Sequence, residues 1–196
     1  MMWTVGLLVS VALAGKNGDT DKVLHSSGLG CEFYTGAVQP SGSMPIMAEC
    51  VWPQVSVGML DTLLGDAEQQ TEMFTSVAST DVVEQSADGF TIRQVHVSSR
   101  ISPREGLVVF KRTESEGIVT HRYALADVQP PASSGHVTIA EHQGFWTFSA
   151  GSAGGIQLTY QATYLPGGNI PALLVRRFQT PAIIRTVEEV YRTLQQ

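Results

Sequence analysis

The chain has 196 residues, of which 43% are hydrophobic and only 15% charged, with a formal net charge of −6. That length suits a single domain with a sizeable core. The charge balance argues against nucleic acid as a partner and against strong electrostatic attachment to anionic lipid, because no basic run is denser than Lys111-Arg112 or Arg176-Arg177.

Residues 1–14 carry no charged side chain and end in Ala12-Leu13-Ala14. The stretch is shorter than the roughly 20 residues a membrane-spanning helix needs. It reads as a signal peptide, which places the protein in a secreted or periplasmic setting. The alternative is an N-terminal helix of a cytoplasmic domain, since the segment has no Lys or Arg before its apolar run. Residues 15–28 are polar and read as a linker; residues 29–196 form the domain.

Within the domain, residues 30–35 and 45–51 form two strands around a Pro- and Gly-containing turn at 36–43. Pro53 opens a helix carrying Val55, Met59, Leu60, Leu63 and Leu64, stopped by Gly65, and 66–74 is a weaker helical stretch. The period then changes. Residues 80–86 and 90–98 pair around a turn at 87–89, and 107–113 and 118–125 form a second hairpin. After a loop at 130–135 come three further strands, 136–142, 145–150 and 156–164. From Ile170 the chain is helical to its end, and Thr180-Pro181 either kinks one helix or caps a second. The fold class is α+β: a curved antiparallel sheet wrapped around a long C-terminal helix that contributes Leu174, Phe178, Ile184, Val187 and Tyr191 to the interior.

The run at 160–178, YQATYLPGGNIPALLVRRF, resembles a motif of the START domains, the lipid-transfer branch of the Bet v 1-like helix-grip superfamily. Pro166, Gly167, Gly168, Ile170 and Pro171 match; Leu165 stands for the usual Asp, and Arg176 lies near the usual Asn. Ser102-Pro103-Arg104-Glu105 is similar to the family's Ser-x-Arg-Asp, and Gly144 to Phe148 to its Gly-x-Trp strand after the Pro-rich loop at Pro130-Pro131. Trp52 to Leu64 fits the family's passage from strand to helix, whereas Thr138 stands where an arginine is usual. The resemblance implies a monomer that encloses one sterol, phospholipid, ceramide or similar molecule, with transient membrane contact, and that admits it by movement of the C-terminal helix and nearby loops.

No cofactor or metal is expected. His25, His96, His121, His136 and His142 show no ligand spacing, and Gly151 to Gly154 lies between strands rather than in a nucleophile elbow. Gly167-Gly168 reads as a tight turn, not an anion nest. The residues expected to meet the ligand are Trp146, Phe148, Tyr160, Leu174 and Phe178, with Arg93, Arg104 and Arg122 as candidates for a headgroup. Solvated outward positions are the alternative for these arginines. A lone inward arginine without Glu105 or a ligand is not expected, because a buried unpaired charge costs several kcal/mol, on the order of a whole domain's stability margin. The function read from the residues is non-catalytic binding of a hydrophobic ligand. The competing readings are a polyketide cyclase or aromatase of the same superfamily, and a protein-interaction domain with a filled core.

The two cysteines make one structural forecast. If the first hairpin is centred between Pro40 and Ser41, facing residues sum to 81, and Cys31 falls opposite Cys50. A disulfide then forms in an oxidising compartment. The same register sets Glu32 against Glu49, a like-charge pair.

Overall fold

Alternation of β-branched or aromatic residues with polar ones produces strands over most of the described residues, and paired positive-φ residues at Leu29-Gly30, Glu116-Gly117 and Gly154-Gly155 turn three hairpins. The computed structural model describes residues 22–99 and 101–196. Ten strands and three helices occur among them: β1 Val23–Gly28, β2 Cys31–Thr35, β3 Ile46–Trp52, α1 Val57–Gly65, α2 Gln69–Met73, β4 Val77–Ser86, β5 Gly89–Ser98, β6 Ile101–Ser115, β7 Ile118–Leu125, β8 Val137–Thr138, β9 Glu141–Ala150, β10 Ile156–Leu165 and α3 Ala172–Thr193. The strands form one sheet in the order β1-β2-β3-β10-β9-β7-β6-β5-β4, all neighbours antiparallel, with the short β8 parallel to β6. α3 packs on β3 and β10, and α1 on β7 and β9.

The α+β sheet-and-helix arrangement agrees with the sequence reading, and four local expectations are corrected. The signal-peptide segment lies outside the described residues. The end of the expected linker is strand β1, joined to β2 by Leu29 (φ 55°) and Gly30 (φ 72°), a pair in the left-handed region that suits a tight hairpin. Leucine is not a turn residue by composition, so the hairpin is hidden. Strand β9 runs unbroken through Gly144, where two strands were expected, and β6 begins before Pro103 rather than at 107. Helix α1 starts after Ser56, whose hydroxyl accepts from the Met59 amide at 3.2 Å, and not at Pro53. Helix α3 is single, with Pro181 inside it.

The buried stripe of α3 is Val175, Gln179, Ile183, Val187 and Val190. Leu174 and Phe178, expected inside, are 44% and 51% exposed. Leu173, Leu174 and Val175 are consecutive, as are Ile183 and Ile184, so the periodic pattern fits two adjacent stripes. Polar residues settle the phase. Gln179 donates to the Met44 carbonyl at 2.8 Å, and buried Glu189 accepts from the Thr75 hydroxyl. The main core unites Trp52, Leu60, Trp146, Phe148, Ile156, Tyr160, Val187 and Val190.

Cys31 faces Cys50 in the β2–β3 register, and the two form a disulfide with Cα atoms 4.0 Å apart. Glu32 does face Glu49, and Lys22 relieves the repulsion by a 2.8 Å ion pair to Glu49.

Candidate functional site

Side-chain alternation decides what faces the helix. Along β9 and β10 the inward partners are Phe148 with Leu158, Trp146 with Tyr160, Gly144 with Ala162, and His142 with Tyr164. Trp146 and Tyr160 stack at 3.9 Å between centroids. Tyr123 of β7 lies across Gly144, where a β-carbon would come 2.5 Å from its hydroxyl. The missing side chain lets that hydroxyl reach the Tyr160 hydroxyl at 3.1 Å. Burial raises both phenols, Tyr160 to about 12 and Tyr123 well above its ordinary value.

Sheet curvature brings His96 of β5 to the same place, although β6 and β7 separate its strand from β9. Its ring stacks on Tyr164 at 5.5 Å and meets His142 edge-on at 5.2 Å; His142 lies 4.9 Å from the Tyr123 ring. Desolvation pulls His96 down to about 4 and His142 well below its ordinary value. His96, His142 and Tyr164 nevertheless keep part of their surface accessible. These desolvated yet partly accessible rings share the inner face of the sheet with the Trp146–Tyr160 stack.

Arg104 of β6 faces His96 across the strand pair and is 5% exposed. Its guanidinium donates to the Ser102 carbonyl, while its Nε has no partner. The next residue, Glu105, points the other way and lies beneath the loop that leads to β8. There it meets Arg93 Nε at 2.9 Å, the His136 ring at 2.8 Å and the Ser133 amide at 3.0 Å. Burial raises its carboxyl, but those partners together hold it below its ordinary value.

A second polar cluster fixes α1 to the sheet. Asp61 accepts two bonds from Arg112, at 2.8 and 2.7 Å, and meets His121 Nε2 at 2.7 Å. The Arg112 bond is the main reason the Asp61 carboxyl sits below its ordinary value. Two concavities, of about 540 and 730 Å³, are lined in large part by solvated residues such as Glu49, Gln157, Glu84 and Lys111, and neither is lined by His96, His142 or Tyr164.

No family model matches the chain, and no curated protein matches it. Solved structures do. A STAR-related lipid transfer protein fragment from Xanthomonas axonopodis is 21% identical, superposes with a TM-score of 0.80, and is matched over 89% of this chain and 99% of that one. This chain has the START fold. The human StAR-related lipid transfer protein 5 is similar at 12% identity and a TM-score of 0.73, over 92% of this chain and 89% of that one. The Zhui aromatase/cyclase from Streptomyces is more distant, with 10% identity and a TM-score of 0.55 over 78% and 94%.

In this START fold the expected ligand residues divide. Trp146, Phe148, Tyr160 and Arg104 are on the inner face. Arg122 is outside, exposed, with its guanidinium 5.1 Å from the Phe145 ring centre. Arg93 is also outside, paired with Glu105. Leu174 and Phe178 lie on the exposed side of α3. Gly167 and Gly168 form the expected positive-φ turn, at 73° and 71°. A β-carbon on Gly167 would come 2.3 Å from the Thr138 carbonyl of β8, so the turn can press against the sheet only without a side chain. The reading of the sequence missed His96, Tyr123, His142 and Tyr164. Counting back from Trp146 by twos through Gly144 reaches His142, a signal lost when Gly144 was taken as a break.

Proposed function

We propose that this chain binds one lipid or other hydrophobic molecule between the inner face of its sheet and α3, and does no chemistry on it. The observation that carries the reading is the inner-face cluster of His96, His142 and Tyr164, buried enough to be desolvated yet partly accessible, beside the Trp146–Tyr160 stack. An apolar enclosure with a few polar groups is the usual form of a small-molecule site. The names of the similar lipid transfer proteins support it. The absence of chemistry rests on proton affinities. Efficient acid–base catalysis wants a group that titrates near the working pH, whereas desolvation drives His142 down and Tyr123 and Tyr160 up.

The ligand enters as α3 and its neighbouring loops move, and the exposed Leu173, Leu174 and Phe178 touch a membrane transiently while it does. The protein works as a monomer in a secreted or periplasmic setting, where the Cys31–Cys50 bond persists. Native mass spectrometry of the full chain, with extraction and identification of the retained species, tests the central reading. One lipid per chain is expected. A protein that emerges empty and takes up no lipid from mixed vesicles would overturn it, and turnover of a polyketide analogue would replace it with the cyclase reading.

A further inference from the structure

The inner face holds a charge that the protein itself leaves unmatched. Arg104 is 5% exposed, its Nε is unpartnered, and among the described residues no carboxylate lies within ion-pair distance of its guanidinium. The adjacent carboxylate cannot serve. Glu105 is on the opposite face of the strand and is already held by Arg93, His136 and the Ser133 amide. The Arg104 guanidinium is directed toward the turn before α3, where its Nη2 would lie 3.7 Å from a β-carbon on Gly168. Tyr164 and the cross-strand His96 flank it on the inner side. The remaining inward cation among the described residues, Arg112, is matched by Asp61.

Burying an unpaired guanidinium is costly, and its planar fork suits a carboxylate or phosphate better than any neutral group. We infer that Arg104 receives the acidic group of an anionic amphiphile, a carboxylate or a phosphate, whose apolar chain runs along Tyr164, Tyr160 and Trp146. This rests on the lipid-binding reading and specifies the ligand class. The low basic content of the surface is no objection, because this charge acts at contact range inside the fold and not by long-range attraction.

The test uses the full-length protein and chain-matched probes: oleate, mono-oleyl phosphate and the uncharged oleyl alcohol, each titrated against tryptophan fluorescence. Oleate or oleyl phosphate should bind about tenfold or more tighter than oleyl alcohol, and whichever does so tells carboxylate from phosphate. The preference should survive raised salt, since a buried contact is little screened. Arg104→Gln should abolish the preference, bringing the acidic probe and oleyl alcohol to within about twofold of each other, and Arg104→Lys should retain part of it. Equal affinities for charged and uncharged probes in the wild-type protein would overturn the inference, as would a preference that persists in Arg104→Gln. The wild-type comparison stands on its own if Arg104→Gln does not fold. Tight binding of oleyl alcohol alone would sink the acidic-group assignment and leave the lipid-binding reading standing. Failure to bind any probe, together with an empty native mass spectrum, would sink both.

Discussion

Tyr123 occupies the space that a side chain on Gly144 would need. A β-carbon there would come 2.5 Å from the Tyr123 hydroxyl and 2.3 Å from the Gln161 carbonyl, and the second atom cannot rotate away. Gly144→Ala should therefore destabilise the fold by about 1–3 kcal/mol, the usual cost of overpacking. Chemical denaturation measures it. A midpoint unchanged from wild type would show that the ring and strand relax freely.

The desolvated imidazoles tie stability to pH. His96 binds its proton only near pH 4 in the folded state, against about 6.5 in an unfolded chain. Between those values the unfolded state holds more protons. Stability is thus fully present above pH 6.5 and declines as the pH falls toward 4, by about 1.4 kcal/mol per pH unit per histidine. His142 acts in the same direction. His96→Phe keeps a ring against Tyr164 and should flatten the decline between pH 6.5 and 4. An equal slope in both proteins would remove His96 from the account.

Asp61 acts as the anchor of α1. Its side chain is partly solvated, so the loss on Asp61→Asn should be about 1–2 kcal/mol rather than that of a fully buried pair. Because its folded carboxyl is held below the ordinary value, the contribution is present at neutral pH and lost as pH falls through the folded value. Thermal melts of wild type and variant should converge in acid. Parallel curves would place the anchor elsewhere.

On α3 the two faces should respond differently. Val187→Ala, at a fully buried position, should cost about 2 kcal/mol. Leu173→Ala should change stability by about 0.5 kcal/mol or less, as exposed substitutions do, while slowing lipid transfer between vesicles. A large loss of stability in Leu173→Ala would put that side chain inside after all.

Reduction of Cys31–Cys50 should lower stability by about 3 kcal/mol, since the bond closes a loop of 19 residues' separation. Alkylation of the denatured, unreduced protein from an oxidising compartment should add no group. Two added groups would refute the bond.

The parts of this molecule legible in its sequence are those where one residue type has one use. Pro166-Gly167-Gly168 announces its turn, and the cysteine register follows from counting across a hairpin. The rest depended on choices that local pattern leaves open. Leu29 in a left-handed turn concealed β1, and a glycine inside β9 looked like an end when it was a seat for Tyr123. Two overlapping apolar stripes on α3 left its phase to Gln179 and Glu189, whose partners are more than a hundred residues away. The inner site suffered most. His96 and His142 meet only because the sheet bends, and curvature is not written in alternation.

Pro181 divides α3 into unequal halves. Beyond it, Ile183, Val187 and Val190 are buried, and Tyr191 packs 5.1 Å from Trp52. Before it, Leu173, Leu174 and Phe178 are exposed, Val175 is the one buried large apolar residue, and the helix begins after Pro171 with no side-chain cap. Proline also deletes one rung of the helix's own hydrogen-bond ladder. We expect the helix to behave as a lever pivoted near position 181: amide exchange should be fast from 173 to 180 and slow from 183 to 191, with the first half lifting while the second stays clamped.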